Sequence, residues 1–91
     1  MKKSVRLSVQ GSVQGFFYKE HIKKEAEKLK IKGFVRLKED GKLEIFIEGN
    51  PEEVNKMIDI CKQGHQHANI RSVDIKPEIF QDFKDFKVIN F

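Results

Sequence analysis

The hydrophobic residues of this chain repeat with two different periods, in an order that leaves few folds open. Val5, Leu7 and Val9 alternate with Arg6, Ser8 and Gln10, which is the period of a half-buried strand. Ile22, Ala26 and Leu29 then recur at helical spacing, with Lys and Glu between them. Phe34 to Lys38 reads as a strand, and Glu39-Asp40-Gly41-Lys42 is a tight-turn signal, because Asp-Gly tolerates the positive φ of hairpin turns. Leu43, Ile45 and Ile47 form the return strand, although Phe46 breaks the polarity of its outward face. Asn50-Pro51-Glu52-Glu53 is a helix start, with Asn as cap, Pro at the first helical position and Glu53 at the capping-box position. Val54, Met57, Ile58 and Cys61 form the apolar stripe of that helix, and Gly64 ends it. Val73 and Ile75 mark another strand, Pro77 to Asp82 a connection, and Phe86 to Phe91 a closing strand.

The order strand, helix, strand, strand, helix, strand, strand is that of a split-βαβ, ferredoxin-like α+β sandwich. Two helices would cover one face of a mainly antiparallel sheet. A chain of 91 residues has room for one such domain over 1–91 and not for two. Its eight Phe and alternating aliphatics supply the apolar surface that disordered chains lack. The single Cys61 leaves no internal disulfide. No apolar run is long enough to span a bilayer, and no apolar stretch follows the basic start to make a signal peptide, so the expectation is a cytoplasmic protein with no membrane partner. A net charge of +4 favours anionic ligands.

The chemistry concentrates in Gly11-Ser12-Val13-Gln14-Gly15-Phe16-Phe17-Tyr18-Lys19, which leaves a strand and enters a helix. The entrance has no Ser, Thr, Asp or Asn cap at 16–18, and Lys19 falls in a first turn where the helix dipole disfavours a cation. Both departures make sense if backbone N–H groups of Gln14 to Lys19, with the Lys19 ammonium, hold an anion. A plain strand-to-helix loop with a solvated lysine is the other reading of the same residues.

This segment resembles the acylphosphatase family, whose pattern Gly-x-Val-Gln-Gly-Val-aromatic-aromatic-Arg is met by Gly11, Val13, Gln14, Gly15, Phe17 and Tyr18. The resemblance continues through Gly33-Phe34-Val35-Arg36, Asp40-Gly41 with Leu43-Glu44, Glu48-Gly49, and Gln63-Gly64 with Ala68. It implies hydrolysis of the carboxyl–phosphate bond of a small acyl phosphate by a monomer without metal or other cofactor. Inorganic phosphate and sulfate would occupy the same loop. In the family the glycine loop offers amides to the phosphate, an arginine at its end grips the phosphate, and an asparagine on the second strand orients water. In this chain the arginine position is Lys19 and the asparagine position is Leu37. Lysine keeps a charge but not the planar fork, and leucine has no polar atom with which to place water. The resemblance with these departures implies an acylphosphatase-like hydrolase of weak or lost activity. The alternative is a non-catalytic module that binds phosphate, another anion or nucleic acid.

Three other groupings carry possible chemistry. Cys61, His65 and His67 have zinc- or copper-ligand chemistry at close spacing, but Cys61 continues the apolar stripe and His65 and His67 read as solvated loop residues. Phe16, Phe17 and Tyr18 could stack on bases, and Lys32-Gly33-Phe34-Val35 is half of an RNA-recognition signature, but on the second strand instead of the third; nucleic acid is therefore not the expected partner. Lys23, Lys24, Lys28, Lys30 and Lys32, interleaved with Glu20, Glu25 and Glu27, read as a solvated helix face, and His21 as a surface histidine one turn past the loop.

Overall fold

The computed structural model describes residues 2–12, 16–64 and 69–89. The elements run β1 (Lys3–Ser12), α1 (Phe16–Lys28), β2 (Lys32–Leu37), β3 (Leu43–Gly49), α2 (Pro51–Gln63), β4 (Asn69–Pro77) and β5 (Phe86–Ile89). They form one five-stranded sheet in the order β4-β1-β3-β2-β5. All pairings are antiparallel except β2 with β5, which is parallel. This is the ferredoxin-like α+β fold that the alternation of periods predicts.

Strand alternation sorts the two faces. Val5, Leu7 and Val9 on β1, Val35 on β2, and Leu43, Ile45 and Ile47 on β3 all bury against the helices. The helices answer with Tyr18, Ile22 and Ala26 from α1 and Val54, Met57 and Cys61 from α2, all in the same core. Ile58, expected in that stripe, is only half-buried and packs at its margin. The helix starts at Pro51 as the sequence predicts, but Asn50 makes no side-chain cap bond. Its side chain accepts instead from Lys2 Nζ at 3.4 Å. Glu53, expected to complete a capping box, pairs with Lys56 at 3.7 Å. Pro51 has no N–H to be capped, and Glu52 and Glu53 complement the helix dipole in the first turn, which lowers the value of a cap there.

The back of the sheet is not an open polar face. Phe46 is buried there, which explains its break in the pattern. It stacks on Phe34, with ring centroids 5.8 Å apart, and meets Phe83 edge-on at 5.3 Å. The Arg6 guanidinium lies over its ring, 5.6 Å from the centroid. Phe83 reaches this position because residues 78–85 cross the back of the sheet as a strap, where the sequence reading has Pro77 to Asp82 as mere connection. Glu78 N–H donates to Ser4 O at 3.0 Å, and Gly33 N–H donates to Asp85 O at 3.0 Å. Between them, the buried Glu48 carboxylate accepts from Gln81 N–H (2.9 Å), Phe83 N–H (2.6 Å) and the Ser4 hydroxyl (3.0 Å). A buried carboxylate without such donors would be costly. With three it becomes the fastener of the strap.

Two glycines permit close approach of backbones. At Gly33, φ is +142°, and a Cβ would lie 1.8 Å from Phe46 O. At Gly11, φ is +149°, and a Cβ would lie 2.1 Å from Asn69 O. Gly11 also sits where the β1–β4 register shifts, so the chain leaves β1 towards α1 through a bulge.

Glu48→Ala should cost about 2 kcal/mol in urea unfolding, since it removes a buried charged acceptor shared by two partly buried main-chain N–H groups and the Ser4 hydroxyl. Limited proteolysis should then cut first within 78–85. A loss below about 0.5 kcal/mol with no new cleavage would show that the carboxylate does not hold the strap. Glu44, also buried on this face, accepts from Arg36 and Arg6. Burial opposes its charge, but the two guanidinium partners prevail and hold its carboxyl below the ordinary value of 4.5. A depressed carboxylate stabilises the fold above its unfolded value and loses that contribution as pH falls. The urea midpoint should therefore drop below about pH 4.5, and Glu44→Gln should flatten that acid limb.

Candidate active site

Strand register fixes where the expected site residues meet. Leu37 pairs with Leu43, and Leu43 pairs with Val9, so these three form one row across β2, β3 and β1. The row lies at the end of the sheet where β1 gives way to α1. Leu37 shares strand parity with Val35, so it belongs to the helix-covered face. The start of α1 and the Leu37 position thus converge on one end and one face of the sheet, although 17 positions of sequence lie between Lys19 and Leu37.

Gln14 and Gly15 of the expected cradle lie outside the described residues. The backbone of Phe16, Phe17, Tyr18 and Lys19 forms the first turn of α1, and the first four N–H groups of a helix have no acceptor within it. No acidic residue stands in that turn. Lys19, the fourth helical residue, is half-buried. Leu37 is 37% exposed, a large apolar side chain left open to solvent. It contributes surface to the site and no donor or acceptor beyond its backbone.

Tyr18 anchors the helix entrance. It is buried, and its hydroxyl donates to the Cys61 carbonyl at 2.9 Å, tying the first turn of α1 to the last turns of α2. Burial, and secondarily Cys61, raise its phenol far above the ordinary value. Tyr18 is thus packed in the core and has no ring face to offer a base. Cys61 is likewise buried and free, and burial pushes its thiol up to about 12. A thiol held protonated in an apolar core is a poor metal ligand. His65 and His67 lie outside the described residues, and among the described residues no cluster of His, Cys, Asp or Glu could hold a metal.

The acylphosphatase family profile matches residues 5–88. An acylphosphatase of Syntrophus aciditrophicus (strain SB) is 38% identical over 90 residues, covering 98% of this chain and 94% of that protein. An acylphosphatase of Thermococcus kodakarensis is 37% identical over 83 residues, covering 91% of each. Among solved structures, an acylphosphatase from Coxiella burnetii superposes with a TM-score of 0.90 at 26% identity, over 97% of this chain and 93% of that one. A small ferredoxin-like α+β domain is the class that the fold defines. This chain belongs to the acylphosphatase family.

Cys61 should resist a thiol reagent at pH 8 in the folded protein and react at once in denaturant. Because its folded value lies above the unfolded 9.0, the protonated thiol favours the fold below that value. That contribution is lost as pH rises, by about 1.4 kcal/mol per unit above pH 9. Cys61→Ala should shallow this alkaline limb; fast labelling of the folded wild type would contradict the burial.

Proposed function

We propose that the chain hydrolyses small acyl phosphates at the entrance of α1, and that Lys19 and Leu37 set a low rate. The observation that carries this reading is the convergence of the α1 first turn and the end of β2 on one rim of the sheet, in a chain that matches acylphosphatases along nearly its whole length. The amides of Gln14 to Lys19 would receive the phosphate oxygens, and the Lys19 ammonium would add a point charge. Water attacks phosphorus, the phosphorus–oxygen bond to the acyl group breaks, and a carboxylate leaves with its electron pair. The water gives up one proton to solvent. A carboxylate is stable as it departs, so the step needs no general acid. What the protein must supply is charge neutralisation and placement of the water. The first falls to the loop and Lys19. The second has no side chain at position 37 to perform it.

Inorganic phosphate and sulfate would compete for the loop, and the reaction calls for no metal or cofactor. We take the protein to act as a cytoplasmic monomer without nucleic acid as partner. No helix among the described residues is long and apolar enough to cross a membrane.

Hydrolysis of benzoyl phosphate by Lys19→Arg with Leu37→Asn should exceed the wild-type rate by about a hundredfold, the usual worth of one well-placed polar group in a site. Most of the gain should appear in kcat with Leu37→Asn alone, and inorganic phosphate should inhibit competitively. Equal rates in wild type and double variant would overturn the role given to these positions. Phosphate binding by the wild type with no turnover above spontaneous hydrolysis would instead favour the binding-module reading.

A further inference from the structure

The opposite end of the sheet gathers charge that the loop chemistry does not use. There, β2 begins, β3 ends and α2 starts. A cleft of about 510 Å³ is lined by Lys2, Lys28, Lys30, Lys32, Asn50 and Glu53. A second hollow of about 270 Å³ shares Lys2, Lys30 and Lys32 with it and adds Lys84. The nearby carboxylates have partners: Glu53 pairs with Lys56 at 3.7 Å, Asp82 pairs at 3.0 Å with Lys84 of the second hollow itself, and Glu48 accepts from the strap. Glu25 takes Lys28 at 3.0 Å. Among the described residues, Lys2, Lys30 and Lys32 make no ion pair.

Lys30 adds an independent observation. Its φ is +57°, in the left-handed region. Ile31 N–H donates to Ala26 O at 2.8 Å and Lys30 N–H to Glu27 O at 3.2 Å, the paired bonds of a helix end that glycine ordinarily closes. A side chain there is strained relative to glycine. The chain thus places a long cationic side chain where backbone geometry favours glycine, on the same cleft walls as Lys2 and Lys32. A local rule broken at a residue that makes no ion pair among the described residues points to a role other than folding.

We propose that these adjoining hollows form a second anion site, remote from the α1 loop, for a small polyphosphorylated molecule. Three ammonium groups without an ion pair among the described residues, Lys2 donating only to the neutral Asn50 side chain, spread over two adjoining hollows and suit a chain of phosphates better than one; flexible point charges suit phosphate oxygens without demanding one geometry. The proposal stands whether or not the loop is catalytically competent.

Calorimetric titration with inorganic tripolyphosphate at low ionic strength tests it. Lys30→Gly and Lys32→Ala should each weaken binding about fivefold, the worth of one close charge in water. Lys76→Ala and Lys87→Ala, elsewhere on the surface, should leave it within twofold. Lys30→Gly should raise Tm while lowering affinity, which separates a ligand role from a folding role. ATP should compete with tripolyphosphate if the phosphate chain is the recognised part. Loss of binding in Lys19→Ala but not in the Lys30 and Lys32 variants would place the anion at the α1 loop and overturn the proposal. Equal losses in all the lysine variants, or no binding at millimolar tripolyphosphate, would overturn it as well.

Discussion

The buried Glu48 carboxylate, which makes no ion pair among the described residues, sits under a strap at the back of this sheet. Glu48 is tolerable there only because three donors converge on it, two of them main-chain N–H groups of residues 81 and 83. Those bonds draw the strap across the sheet, bring Phe83 onto Phe34 and Phe46, and deliver the chain to the far side of β2. There β5 pairs in parallel with Gly33 to Arg36. Without the fastener, the back face would expose its aromatic cluster, and the last strand would lose the route by which it reaches its partner.

The two helices solve the other face by ordinary means. Apolar side chains of one strand parity meet apolar stripes at helical spacing, and Tyr18 adds a single polar tie between α1 and α2. That tie matters for the site, because it fixes the first turn of α1, whose amides point away from the helix body. The rim that results brings the first turn of α1 and the end of β2 together through register alone. Position 37 is part of it by virtue of pairing with Leu43, whatever side chain it carries.

Much of this was legible in the residues, and what was not has a physical reason. The alternation of Val5, Leu7 and Val9 and of Leu43, Ile45 and Ile47 reports burial directly, so strands and core faces could be read. Gly11 and Gly33 could be matched to a family pattern, and the structure shows why only glycine fits: a neighbouring carbonyl occupies the place of Cβ. Glu48 was illegible, because alternation marks a glutamate on an outward face as solvated and says nothing of a segment more than 30 residues later that will cover it. Phe46 gave a hint by breaking the pattern, but its partner Phe83 lies in a stretch with no period to read. The lysines at 28, 30 and 32 looked like a helix face; Lys30 lies beyond the helix, in a backbone state that no spacing rule reveals.

The strand order β4-β1-β3-β2-β5 also governs how the molecule must assemble. Only β2 and β3 are neighbours both in sequence and in the sheet, so theirs is the one pairing that a short turn can nucleate. Every other seam joins segments separated by a helix or more, and loop-closure entropy must be met before any of its contacts form. The Asp40-Gly41 hairpin is therefore the natural seed of the fold, and collapse onto it should proceed slowly for a chain of this size.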